Sequence, residues 1–187
     1  KAVRKGLTKT NHKTKGSIEM SVLNAMQNRR SVRKYNNQPV TDEELNNVLS
    51  AALLAPNGKG LRPWEFVVVR DQNTLKDLVD CRKGGAKMLA VYSDSSKTDT
   101  YIEDSSIAMS YMLLAAADQG LGGVWLQLRL RPSNQEGVSA EEFVNSKLNA
   151  PENMKVEALL VLGHVDEQPE AKAMPVFPCD KVHKEQW

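Results

Sequence analysis

The chain has 187 residues, which is enough for one ordinary domain. Its 41% hydrophobic and 26% charged residues exclude a disordered or fibrous protein. No apolar run approaches the roughly 18 residues of a membrane-spanning helix. The two cysteines, Cys81 and Cys179, are too few for a disulfide framework. We therefore expect a cytoplasmic protein that does not enter a membrane.

The positive charge of the chain is concentrated at its beginning. Residues 1–18 contain six of the 25 basic residues and none of the 23 acidic ones, so the remainder is mildly acidic. A domain that binds nucleic acid is basic across its folded surface, which argues against such a partner. We interpret residues 1–16 as a basic arm: a solvated tail, a sequence left from expression, or a segment that packs on a partner subunit. Residues 17–187 are predicted to form a single domain with an extended C-terminal tail.

The predicted elements begin with two helices. Apolar residues at helical spacing predict a helix over 17–30, and the segment 31–35 is predicted to be extended. Thr41 and Glu44 form a capping-box pattern that begins a second helix. The valine-rich segment 65–70 predicts a strand that is buried on both faces.

The rest of the chain alternates between helices and strands. We predict a helix at 73–80, a strand at 88–92, a long buried helix at 101–119, a strand at 124–128, a helix at 140–148 and a strand at 156–163. The proline-containing tail from residue 166 is predicted to be extended, with Trp187 as an apolar anchor. This order of helices and strands predicts an α+β or α/β sandwich with a mixed sheet. The two helices before the first strand argue against a simple Rossmann domain.

Three arginines and a serine lie together at the junction between the first helix and the extended segment. They are Arg29, Arg30, Ser31 and Arg33. Guanidinium groups are permanently charged bidentate donors, which phosphate groups prefer. The alternative is a solvated basic helix end, and these residues alone leave both open.

Two glycine-containing segments are further candidates for a ligand site. The loop that contains Asn57, Gly58 and Gly60 would admit a flat ligand, or it is an ordinary loop before a core tryptophan. The segment 120–125 (GLGGVW) is not a dinucleotide-binding fingerprint, because a helix precedes it and a strand follows. Its glycines would instead let a strand edge contact a planar ring.

No pair of nucleophile and base is recognisable in the sequence. Cys81, beside two basic residues, is more typical of a structural thiol, and neither His164 nor His183 has an obvious carboxylate to orient it. No metal-ligand spacing is present. We therefore expect any chemistry to be carried by a cofactor.

Taken together, four segments resemble the flavin-dependent nitroreductase family from about residue 20 to the end of the chain. They are RRSVRKY (29–35), AP…RPWEFVVV (55–69), the helix that runs into GLGGVW (107–125) and LLVLGHVDEQPEAK (159–172). The resemblance implies an α+β sandwich with a mixed, mainly antiparallel sheet flanked by helices. It also implies a homodimer that binds FMN at the subunit interface.

The resemblance implies a role for each residue that matches the family pattern. Arg29 and Ser31 would hold the phosphate and ribityl end of FMN, with Arg30 beside them. Arg33 would face the pyrimidine edge, where reduced flavin gathers negative charge. Lys172 would complete the phosphate site from the C-terminal tail.

Two further groups of residues would border the flavin ring. The loop with Asn57, Gly58 and Gly60 would reach the FMN of the other subunit. Gln127 and Leu128 would lie along the ring near N5 and offer backbone groups.

The chain departs from the family pattern at several of these positions. Asn57, Gly58 and Gly60 stand where Ser and Asn are common, and Arg62 stands where Gln is common. Met174 replaces a second basic residue of the tail. We still expect FMN to bind, with Arg62 replacing lost contacts.

The resemblance implies an FMN-dependent oxidoreductase. Electrons would pass in a ping-pong cycle from NADH or NADPH through flavin N5 to a nitroaromatic, a quinone or a similar conjugated acceptor. Two other classes of function stay open. One is a non-catalytic flavin-binding store or sensor, and the other is an interaction protein that acts through the basic arm.

Overall fold

Four antiparallel strands form the centre of the fold. The computed structural model describes residues 21–78, 86–176 and 179–187. The strands are β1 (Trp64–Val69), β2 (Lys87–Asp94), β3 (Gly122–Gln127) and β4 (Met154–Gly163), in the spatial order β1-β2-β4-β3. All pairings of these strands are antiparallel. An isolated parallel bridge between Ser31 and Gly123 lies outside these strands, so the sheet that was predicted to be mixed and mainly antiparallel is antiparallel in all four of them.

Within the described residues, five α-helices flank the sheet in the predicted order along the chain. They are α1 (Val22–Asn28), α2 (Asp42–Leu53), α3 (Gln72–Leu78), α4 (Tyr101–Asp118) and α5 (Ala140–Leu148). Capping boxes at Thr41 and Ser139 begin α2 and α5, because each N-cap hydroxyl accepts a backbone N–H that would otherwise lack a partner. Residues 17–20 of the predicted first helix lie outside the described residues, as does the basic arm. No helix in the described part of the chain is long and apolar enough to cross a bilayer.

The two faces of the sheet pack against different helices. Alternate residues of β2 and β4 point to opposite faces, and both central strands are almost fully buried. α2 and α4 cover one face, and α3 and α5 cover the other. β1 lies at the edge, where Glu65 is exposed and Phe66 is half-buried. Residues of β1 pack against both faces of the core, as predicted, but they are covered less completely than those of the central strands because β1 is an edge strand.

The long helix α4 is buried on one side only. Ala108, Met109, Met112 and Ala116 are inaccessible to solvent, whereas Tyr111 is 39% exposed. The predicted long buried helix is therefore present, but one of its sides is exposed within one chain. Trp187, expected to anchor the tail, is fully exposed and stacks on His183.

A pair of glycines determines how the segment after α1 meets the sheet. Gly122 on β3 and Gly163 on β4 are cross-strand partners. A Cβ atom at Gly163 would lie 2.9 Å from Cδ1 of Tyr35, and one at Gly122 would lie 3.0 Å from Cβ of Val32. The missing side chains thus leave a notch, which we call the glycine notch, that Val32 and Tyr35 enter beside Val165. Gly122, the notch glycine that belongs to the predicted segment 120–125, faces Val32 and Val165 rather than a planar ring, and Tyr35 lies against Gly163 instead. The close approach at Gly122 therefore serves packing within the chain.

Hydrogen bonds hold this segment in the glycine notch. The N–H of Val32 donates to the carbonyl of Gly123 at 3.0 Å, and the N–H of Asn36 donates to the carbonyl of His164 at 2.9 Å. The Tyr35 hydroxyl lies 2.6 Å from the carbonyl oxygen of Val32. Both ends of the segment are therefore fixed, which positions the basic residues just before it.

We predict that Gly163→Ala lowers the free energy of unfolding by about 1–3 kcal/mol, because the new methyl group collides with the Tyr35 ring. Urea denaturation measures the change. In a Tyr35→Ala background the same substitution should cost much less, since the colliding ring is gone. Equal costs in the two backgrounds would contradict the notch as the cause.

Candidate functional site

The predicted phosphate-binding residues come together at the C-terminal end of α1. Arg29 caps the helix, and Arg30 follows it. The C-terminal tail runs alongside: the N–H of Lys172 donates to the carbonyl of Gln27 at 2.9 Å, and the Gln27 amide donates back to the Lys172 carbonyl at 3.1 Å. The Arg30 guanidinium donates to the carbonyl of Glu170 at 2.7 Å. Lys172 is thereby brought beside residues that are more than 140 positions away in the sequence.

Ser31 fixes this group of residues to the sheet. It bridges to Gly123 near the start of β3, and its side chain is exposed. We call Arg29, Arg30, Ser31 and Lys172 the cationic cluster. Three positive charges and a hydroxyl on adjacent backbone segments are a donor set that fits a phosphate group. Arg33, two residues further on, is exposed, and it forms no ion pair within the described ranges.

A buried carboxylate holds the glycine-containing loop. Asp104, in the first turn of α4, is 3% exposed and accepts the backbone N–H of Gly58 at 2.9 Å. It also accepts the Thr100 hydroxyl at 3.2 Å. A Cβ atom at Gly58 would lie 2.6 Å from the Thr100 hydroxyl oxygen, so a larger residue would push Thr100 away from Asp104. The absence of a side chain at Gly58 therefore helps to hold this loop against Asp104.

The backbone of the same loop is held in an unusual conformation. Lys59, Gly60 and Arg62 have φ values of 52°, 70° and 47°. Left-handed conformations are unfavourable for residues with a side chain, and they persist where the surroundings impose them. Here the side-chain carbonyl of Asn57 accepts the N–H of Arg62 at 2.9 Å. The loop is thus shaped by Asn57 and Asp104, and it leaves Arg62 exposed.

The end of β3 is engaged within the chain. Leu128 is buried in the core, its N–H donates to the carbonyl of Glu157 at 3.3 Å, and its carbonyl accepts from Arg131 at 2.9 Å. A contact from Leu128 to a flavin would therefore use the second lone pair of its carbonyl. The Gln127 side chain accepts from the Trp125 indole at 2.8 Å and donates to a Glu157 carboxylate oxygen at 2.9 Å.

One chain does not bring all of these residues into a single cavity. The loop 57–62 precedes Trp64, which pairs with Ser93 at one end of β1, an edge strand. The cationic cluster lies beside Gly123, near the other end of the opposite edge strand. The two positions are six residues apart along the strand direction and three strand spacings apart across the sheet. These offsets correspond to a distance of roughly 25 Å. A single FMN molecule does not span that distance.

Sequence reasoning missed two carboxylates near these residues and one contact of a third carboxylate. Asp104 contacts the glycine loop and Glu157 contacts Gln127, although neither belongs to the predicted set. The signal for Glu157 is a charged residue inside an apolar strand. Glu44 lies 3.3 Å from the His164 ring, which the sequence left without an orienting carboxylate. Burial raises the pKa of Glu44, but hydrogen bonds from Thr41 and the His164 contact outweigh it and lower the pKa below its ordinary value.

Comparison with known proteins decides the family. The model of the nitroreductase family matches residues 26–89 and 80–164 of this chain. The chain belongs to the nitroreductase family. The resemblance of the four segments is thereby confirmed, and so is the predicted α+β fold.

Nitroreductase relatives cover most of the chain. The solved structure of an FMN-dependent nitroreductase from Clostridium difficile is 37% identical, with a TM-score of 0.79, over 88% of this chain and 99% of that one. A relative from Archaeoglobus fulgidus, provisionally named NADH dehydrogenase/NAD(P)H nitroreductase, is 31% identical over 88% of this chain and 98% of its own. The NADPH-flavin oxidoreductase of Vibrio harveyi is 30% identical over 84% of this chain and 71% of its own.

Proposed function

We propose that this nitroreductase-family chain is an FMN-dependent NAD(P)H oxidoreductase that acts as a homodimer. The observation that carries the proposal is the cationic cluster, in which Lys172 from the tail joins Arg29, Arg30 and Ser31 at the end of α1. The names of the relatives agree with it, since they describe FMN-dependent and NAD(P)H-dependent enzymes. The acceptor is a nitroaromatic, a quinone or another conjugated electrophile.

Different residues of the chain would bind different parts of FMN. The cationic cluster would hold the phosphate through charge-assisted hydrogen bonds. When bound, FMN would supply the redox chemistry that couples the oxidation of NADH or NADPH to the reduction of the acceptor in a ping-pong cycle. Arg33 would stabilise the negative charge that gathers on the pyrimidine edge. The strand end at Gln127 would border the ring.

An exposed apolar face supports the homodimer. Val22 and Met26 on α1 are 66% and 49% exposed, and together with Tyr111 and Leu114 of α4 they line a groove of 410 Å³. Apolar surface of this kind marks an interaction site. The same helix α1 ends at Asn28, directly before Arg29, so the apolar face adjoins the cationic cluster along the chain. A second copy on this face would supply the loop 57–62 that one chain holds too far away.

The experiment that tests the proposed activity is the visible spectrum of the purified protein with added FMN, before and after anaerobic NADH or NADPH. We expect a protein-bound flavin spectrum that bleaches, and recovers when a quinone or nitroaromatic is added. Bound flavin that neither reductant bleaches would favour the store or sensor function instead. A protein that retains no FMN would contradict both.

We predict that Arg29→Ala weakens the binding of FMN but not of riboflavin, which lacks the phosphate. The FMN dissociation constant should rise roughly tenfold to hundredfold, because a hydrogen bond to a charged group contributes about 1.5–3 kcal/mol. Quenching of flavin fluorescence by the apoprotein measures both ligands. Lys155→Ala, an exposed lysine on β4, is the control and should change neither affinity. Equal losses of affinity for FMN and riboflavin would contradict a role for Arg29 in binding the phosphate.

We predict that Met26→Glu converts the dimer to a monomer and abolishes FMN binding, because a charge is placed in the apolar face and the site loses its second loop. Sedimentation velocity measures the oligomeric state. Ser146→Glu, an exposed position on α5, should leave the dimer intact. A Met26→Glu monomer that binds FMN with wild-type affinity would contradict the shared site.

A further inference from the structure

Glu157 is a buried carboxylate at a break in the regular pairing of the sheet. The residue is 7% exposed, although the rest of β4 around it is apolar. Val91 of β2 pairs with Ala158, whereas the next residue, Tyr92, pairs with Val156. Glu157 is therefore an extra residue that has no partner on β2. Such bulges redirect a side chain, and they are frequent next to active sites.

The redirected carboxylate forms the end of a chain of hydrogen bonds. The Trp125 indole can only donate, so the 2.8 Å contact assigns the Gln127 oxygen to the side of Trp125. The Gln127 amide nitrogen then faces Glu157 and donates to its carboxylate at 2.9 Å. The orientation of Gln127 is thus fixed from both sides.

Glu157 also holds the backbone at the end of β3. Its main-chain carbonyl accepts the N–H groups of Leu128 and Arg129, each at 3.3 Å. Its side chain forms no ion pair with any cation of the described residues. The carboxylate therefore lies close to the strand end that would border the flavin ring, with no paired cation among the described residues to offset a charge on it. A charge in the protein interior is screened less than one on the surface.

We propose that Glu157 is a positioning residue that fixes Gln127 at the flavin ring and lowers the redox midpoint potential of bound FMN. The second part of this inference, the effect on the midpoint potential, rests on the proposed function. Reduction adds negative charge to a flavin, and a nearby fixed anion makes that addition less favourable. Neutralising Glu157 would therefore raise the midpoint potential.

Two substitutions separate the position of Gln127 from the effect of the charge. Glu157→Gln removes the charge and keeps an oxygen that accepts from Gln127. Glu157→Leu removes both. Glu152→Gln, which neutralises an exposed carboxylate five residues earlier, is the matched control. A purely structural carboxylate would affect folding in these variants without changing the potential.

The first measurement uses the apoprotein. In a 1H–15N spectrum, with the Trp125 indole signal assigned through Trp125→Phe, we expect that signal to move in Glu157→Leu and to stay close to the wild-type position in Glu157→Gln. The second measurement is the midpoint potential of bound FMN, which should rise in Glu157→Gln and stay unchanged in Glu152→Gln.

Either measurement can overturn its half of the proposal. An unchanged indole signal in folded Glu157→Leu would show that Glu157 does not position Gln127. A wild-type potential in Glu157→Gln with FMN bound would show that the charge does not act on the flavin. If the wild-type protein binds no FMN, the proposed function and the electrostatic half fail together, whereas the apoprotein spectrum still decides the positioning half.

Discussion

The close approach of the segment 31–36 to the sheet is the constraint on which the candidate site depends. Two glycines face each other across β3 and β4, and Val32 and Tyr35 enter the space they leave. With that segment fixed, the end of α1 lies beside the start of β3. The cationic cluster is therefore positioned by packing, before any electrostatic contribution. Side chains at the two glycines would displace the arginines without changing a single charge.

Local sequence patterns predicted the positions of the helices and strands well, but predicted the burial of these elements less well. The helix at 140–148 is confirmed residue for residue, and the capping box of Thr41 and Glu44 is present as predicted. These features depend on residues three or four positions apart. The exposure of β1 and of one side of α4 depends on which elements lie alongside them, and that information is not local to either segment.

The residues of the candidate site also differ in how far the local sequence reveals them. Arg29, Arg30 and Ser31 were recognisable because they are adjacent in the sequence. Lys172 entered only through the family resemblance, and the structure then brought it to the same place. Asp104, Glu157 and the Glu44–His164 contact were missed because their partners lie 30 to 120 residues away. Each of these carboxylates is joined to another element, so no single segment reveals it.

The attachment of the tail to α1 has a consequence for the order in which the molecule assembles. The hydrogen bonds between Gln27 and Lys172 close a loop of 145 residues, which is most of the chain. Contacts of such long range form after the sheet that brings their ends together, because closing the loop costs entropy that nothing yet offsets. We therefore expect the cationic cluster to form late in folding and to open early. A phosphate bound there would join the two ends of the fold, and its binding energy would stabilise this late-forming contact.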